Sequence, residues 1–324
     1  MKTPMMQWRV AVTLALMTVL PLSVIAQGNA NEPLQVFGNT TTIELAPVLV
    51  AVERGIYAGP AKISNGGIPN LWATPNGGVL AEVTTNAETQ ALRQSLLHPD
   101  LRIILTVSDG LYRIVGKRSA GITRLADLKG KKIGTIPNTS SAYFLHKMLG
   151  TVGLSDADVT VVPLTALDKY KTALTEQGLD AITIWEPGAD YAVESVGNDA
   201  IEFSGKGIYR EAFNLNTTAA ALADPVRRAR IVGFVRALIT ASDQLNKNPQ
   251  LAWPLVAKSS GYAEAVVQHA WPHHAYPAKP AADLLDVMAE EDKWVARETT
   301  RAPRTREQLA TLIDDSVYRD AIKP

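Results

Sequence analysis

The chain has 324 residues, with 32 lysines and arginines balancing 32 aspartates and glutamates, and it contains no cysteine. Disulfides and an N-terminal cysteine lipid anchor are therefore excluded, and the zero formal charge argues against nucleic acid as a partner. Roughly three hundred mature residues suffice for two lobes of ordinary domain size.

Residues 1–26 are read as a cleavable secretory signal peptide: Lys2 and Arg9 give a basic start, Val10 to Leu20 an apolar run, and Val24-Ile25-Ala26 the cleavage region. Cleavage is expected after Ala26, with Ala30 as the alternative, and the apolar run is too short for an ordinary membrane span. The resulting location is the periplasm.

Leu34 to Gly38 reads as a strand, Asn39 to Thr42 as a polar turn, and Ile43 to Arg54 as a helix with Leu45, Val48, Leu49 and Val52 on one face. A loop-rich passage carries Trp72, then a strand is expected at Val79 to Thr84 and a helix at Ala87 to Leu97. Arg102 to Val107 is a dense β run, and Leu111 to Lys117 a further strand able to cross between lobes. The stretch from Gly121 to Leu154 predicts a short helix at Leu125 to Leu128, a strand at Lys132 to Ile136, and a helix beginning among Asn138, Thr139, Ser140 and Ser141. Val159 to Leu164 and Ala181 to Trp185 read as strands around a helix at Leu167 to Glu176. The passage from there to about Asn216 reads as loop-rich, and from Asp224 onward the pattern is helical, beginning with Pro225 to Leu245 and followed by two or three more helices. Alternating strands and helices followed by a helical tail define an α/β class with mostly parallel sheets.

Three segments in this order carry a resemblance: LAPVLVAVERGIYAG, then LADLKGKKIG with PNTSSAYFLHKMLGTVGLS, then GLDAITIWEP. The chain resembles the substrate-binding proteins of nitrate/sulfonate/taurine ABC transporters, the SsuA/TauA-like group. That resemblance implies a two-lobed type II periplasmic-binding-protein (Venus flytrap) fold with a helical C-terminal segment. Lobe one would comprise residues 32–115 plus 216–324 and lobe two residues 116–215. A small ligand would sit between the lobes. Independently, ligands of open α/β sheets bind beyond the strands' carboxyl ends, where the polar turns of this chain lie.

The candidate ligand-binding residues are grouped at those turns. Asn138, Thr139, Ser140 and Ser141 offer hydroxyls and free helix N–H groups to an anion, or serve only as caps. Thr40, Thr41 and Thr42 have the same two readings. Thr85, Asn86 and Glu88, and likewise Ser108 and Asp109, are either polar ligand contacts or ordinary turn and capping residues. Trp185 and Glu186 place an aromatic face beside a carboxylate, with Pro187 holding Glu186 extended; the alternative is a core tryptophan with a solvated glutamate. His269, His273 and His274 hold a metal-like spacing, but Pro272 interrupts a continuous helix there, so no metal and no cofactor are expected. No nucleophile elbow, zincin motif, Walker loop or dinucleotide fingerprint is present, which argues against an enzyme.

The expected protein is thus a monomeric periplasmic substrate-binding component of an ABC importer. It would capture a small anionic solute, such as a sulfonate, taurine or nitrate, or a related organic compound, and deliver it to an inner-membrane permease with a cytoplasmic ATPase. The alternatives are a ligand-binding sensory receptor and a thiamine-pyrimidine-synthase-like enzyme, the latter disfavoured by the absence of cysteine.

Overall fold

The computed structural model describes residues 32–74, 77–164 and 172–324. The expected signal peptide and the first half of the helix expected at Leu167 to Glu176 lie outside the described residues.

Two sheets organise the chain. The first has six strands in the order β11 (His274–Ala275), β4 (Leu101–Gly110), β10 (Glu211–Thr218), β3 (Val83–Ala87), β1 (Leu34–Gly38) and β2 (Ala61–Asn65). The second has five, in the order β7 (Thr160–Pro163), β6 (Lys132–Thr135), β8 (Ala181–Thr183), β5 (Arg113–Lys117) and β9 (Ala200–Ser204). Helices cover both, giving a two-lobed α/β molecule. The sheets are mixed rather than mostly parallel. In the first, β1 pairs in parallel with β2 and β3, whereas β10 runs antiparallel to β3 and β4. In the second, β6 is parallel to β7 and β8, whereas β5 is antiparallel to β8 and β9. The antiparallel members are the strands by which the chain enters and leaves the second sheet. It passes from β4 to β5 through Leu111 and Tyr112, and returns from β9 to β10 through residues 205–210.

Two segments differ from the sequence reading. The strand expected at Val79 to Thr84 is shifted to Val83–Ala87, while Val79 and Leu80 are exposed. Pairing decides this register, because Val83 and Thr84 lie opposite Val36 and Phe37 of β1, and Thr84 to Ala87 lie opposite β10. The passage expected to be loop-rich contains the helix Gly188–Val196 and strands β9 and β10. Every residue of β10 is buried, including Glu211, Asn214, Asn216 and Thr217. Its asparagines are held by bonds within the sheet: Asn214 Oδ1 accepts from Thr106 Oγ1 at 2.8 Å, and Asn216 Nδ2 donates to Asn214 O at 2.9 Å. An apolar-periodicity rule does not detect such a strand.

The first sheet packs on the helices Ala46–Glu53 and Pro225–Lys247, with Val36, Leu45, Val48, Phe234 and Leu238 in one core. Asp224 caps the long helix by accepting from the N–H groups of Val226 and Arg227, with Pro225 at its first position. The helices beyond it are Trp253–Ser260, Glu264–Ala270, Leu284–Glu298, Arg306–Ala310 and Ser316–Ala321. Among the described residues no helix is long and apolar enough to cross a membrane.

Candidate functional site

A cavity of about 50 Å³ lies where the two sheets converge. Its walls are Asn39, Thr42, Glu44, Asn86, Ala87, Gln90, Ser140, Trp185, Glu211 and Phe213. Asn39 to Glu44 follow β1, Asn86 and Ala87 end β3, and Ser140 starts the helix after β6, so carboxyl ends of parallel strands from both sheets supply the lining. Glu211 and Phe213 come from β10. Hydrogen bonds span the cavity from one sheet's elements to the other's. Ser140 Oγ donates to Glu211 Oε1 at 3.0 Å, Gln90 Nε2 to the carbonyl of Asn138 at 3.2 Å, and Ile43 N–H to the carbonyl of Glu186 at 3.2 Å.

The sequence candidates divide on this geometry. Thr42, Asn86, Ser140 and Trp185 are brought together in the lining. Thr40 and Thr41 instead bond with the side chains of Asn65 and Asn39, so their hydroxyls organise the turn. Thr85 is buried within β3, and Ser108 within β4 opposite Phe213 of β10. Glu88 turns inward, accepting from Tyr209 Oη at 2.8 Å and Ala212 N–H at 2.9 Å. Asp109 pairs with Arg210 beside a larger cavity of about 510 Å³ that also meets Tyr143, Lys147 and Glu290.

At the helix start, Asn138 takes a positive φ of 63° and Thr139 Oγ1 donates to the carbonyl of Ile136. Ser141 Oγ lies buried, donating to the carbonyl of Thr183 at 2.7 Å. Glu186 points toward β5 rather than the cavity: Arg113 Nη2 lies 2.8 Å from its Oε1, and Asp190 N–H donates to its Oε2 at 3.0 Å. Arg113 also pairs with Asp190 and Glu202, so one buried guanidinium gathers three acids. Trp185 and Glu186, adjacent in sequence, thus diverge.

Sequence reasoning missed the two acids in the lining. Glu44 and Glu211 are each only 2% exposed. Burial pushes the Glu44 carboxyl up to about 7, and burial together with the neighbouring Glu44 holds Glu211 well above the usual carboxylate range. Tyr112 Oη lies 3.1 Å from Ser140 Oγ, and His274 Nε2 lies 3.5 Å from Glu44 Oε1. Burial pulls His274 down to about 4, so it is a neutral neighbour near pH 7. Farther in, burial and then Glu211 raise Glu88 to about 8, and burial and then Glu88 raise Glu291 well above its ordinary range. The available signal was a charged residue inside an apolar segment: Glu44 between Ile43 and Leu45, and Glu211 at the head of EAFNL.

The fold is that of the type II periplasmic binding proteins. Residues 100–252 match the family model described as NMT1/THI5 like, and the architecture is SsuA/TauA-like. The chain is similar to the periplasmic aliphatic sulphonate binding protein SsuA from Escherichia coli, with a TM-score of 0.70 at 17% identity over 86% of this chain and 91% of that one. It is also similar to the periplasmic nitrate-binding protein NrtA from Synechocystis PCC 6803, with a TM-score of 0.68 at 13% identity over 90% and 89%. The desulfurization enzyme DSZB shares the fold as well, with a TM-score of 0.61 at 12% identity over 90% and 99%. No curated protein matches the chain significantly in sequence.

Proposed function

We propose that this protein is the periplasmic substrate-binding component of an ABC importer, taking up a small organic solute between its lobes and delivering it to an inner-membrane permease. The observation that carries this reading is the cavity between the two sheets, lined from both and bridged by Ser140 and Glu211. A ligand that touches both walls stabilises the closed arrangement, because only differential affinity for the two states shifts such an equilibrium. The sulphonate- and nitrate-binding relatives give the import role its support. The lobes proposed from the sequence, residues 32–115 with 216–324 and residues 116–215, are taken to follow the two sheets, so that β5 from Arg113 goes with the second lobe and β10 from Glu211 with the first. The protein acts as a monomer after loss of residues 1–26.

The test is a thermal-shift screen of the mature protein against sulfonates, nitrate, carboxylates, pyrimidines, amines and amidines. A ligand at a hundred times its dissociation constant stabilises by about 2.7 kcal/mol. Trp185→Ala and Ser140→Ala are expected to weaken the hit without unfolding the protein. Unchanged affinity in both variants rejects this cavity as the binding site, and a screen without any hit rejects solute capture.

A further inference from the structure

The walls of the cleft are acidic. Two of its lining residues are carboxylic acids, and no lysine, arginine or histidine is among them. Glu44 and Glu211 are buried and line the same cavity, and Oε2 of each has no hydrogen-bond partner among the described residues. The Ser140 hydroxyl that could serve an anion is already taken by an acid of the protein itself, since Ser140 Oγ donates to Glu211 Oε1 at 3.0 Å. A bound sulfonate or nitrate would place its charge beside two acids whose ionised form burial already disfavours, whereas the N–H donors of a cation would pair with oxygens that are expensive to leave unpaired. Trp185 and Phe213 also line the cavity, and aromatic faces favour cations over anions. Among the described residues no group of three or more metal-ligating side chains could hold a metal ion, which directs the choice to an organic cation.

We infer that the cleft selects a small organic cation, a protonated amine or amidine whose N–H groups donate to the carboxyls of Glu44 and Glu211 while Trp185 and Phe213 contact its body. This rests on the solute-binding reading above and names the substrate class for that site. About 50 Å³ admits roughly three to five water-sized groups, the size of such a head group.

Binding carries a proton balance. In the empty cleft the facing carboxyls retain a proton, because burial and mutual repulsion disfavour two charges. On binding, the carboxylic acid releases its proton to solvent, and the resulting carboxylate pairs with the ammonium or amidinium, which keeps its own. The groups facing Glu44 are Glu211, His274, Tyr112 and Tyr276; those facing Glu211 are Glu44, Tyr112, Ser140, Asp109, Glu88, Tyr209 and Glu291. His274 is held down at about 4, and the tyrosines are held above their ordinary range, so none of these titrates near neutrality. Glu88 and Glu291 do not line the cavity and are not contacted by ligand.

The test is calorimetric titration of the ligand-free protein with butylammonium, guanidinium and benzamidinium, set against methanesulfonate, nitrate and neutral 4-aminopyrimidine. At least one cation is expected to bind, with affinity rising up to about tenfold per pH unit between pH 6 and 8 and with proton release visible when buffers of different ionisation heat are compared. Glu44→Gln and Glu211→Gln, which keep side-chain volume, should each weaken that cation at least about tenfold and reduce the proton release. If either variant fails to fold, proton release by the unmodified protein still decides the matter. Binding of methanesulfonate, nitrate or 4-aminopyrimidine without any cation overturns the cation assignment and leaves solute capture standing. Cation binding without proton release and indifferent to both substitutions places the cation elsewhere and overturns it too. If none of the six compounds binds, the cation assignment fails, and solute capture is judged by the wider thermal-shift screen.

Discussion

At the scale of single residues, the buried acids make stability depend on pH in an unusual direction. Glu44 is raised to about 7 and Glu88 to about 8, with burial as the first cause. Each holds its proton in the folded state after the unfolded chain has lost it, so its contribution is full below the unfolded value near 4.5 and is lost as pH rises through the folded value. His273 and His274 are lowered to about 4 and act oppositely, but only below their unfolded value near 6.5. Between about pH 6.5 and 8 the acids act alone, and the ligand-free protein is expected to lose several degrees of Tm by scanning calorimetry. The curve of Glu44→Gln should be flatter over that window. A Tm that rises from pH 6.5 to 8 contradicts the arrangement.

Arg113 shows how one side chain joins several elements. From β5 it reaches Glu186 and Asp190 around the start of the helix Gly188–Val196, and Glu202 on β9. The Glu186 side chain is 2% exposed and that of Asp190 10%, so Arg113→Met would strand two buried acids and should cost about 3–5 kcal/mol in urea denaturation. Glu202 is 40% exposed, and Glu202→Gln should cost less than about 1 kcal/mol. Similar losses from the two variants would show that the guanidinium is not held by its buried partners. On the long helix, Asp224→Ala removes the cap from Val226 and Arg227 and should cost about 1 kcal/mol. These elements also mark what local sequence conveys. Pro225 and Asp224 announce a helix by themselves, whereas β10 does not announce a strand, because its asparagines become acceptable in a core only once their sheet neighbours bond them.

Across the whole molecule, the lobes meet through contacts of unequal weight. Ser140 and Glu211 meet in the buried cleft, while Lys147 and Glu290 pair at an outer rim where Glu290 is 56% exposed. A rim pair of this kind is worth about 0.2–1 kcal/mol. Lys147→Ala is therefore expected to change ligand affinity less than about fivefold, and less still at high salt, as measured by calorimetry. A loss larger than that of Ser140→Ala would move the closing energy from the cleft to the rim.

The sequence by itself determined the α/β class, the order of most elements and the polar turns that lie beyond strand ends. Those follow from hydrophobic periodicity, caps and turns, which are properties of neighbours along the chain. It also brought forward Thr42, Asn86, Ser140 and Trp185, all of which line the cavity. Only the tertiary structure decided which polar turns face that cavity and which serve themselves, as Ser141 does by bonding Thr183 and Glu186 by pairing with Arg113. It alone brought Glu44 and Glu211 together, 167 positions apart along the chain by their numbering. The physical reason is that the charge of a cleft belongs to no single segment. It arises when separate strands converge and withdraw their acids from water.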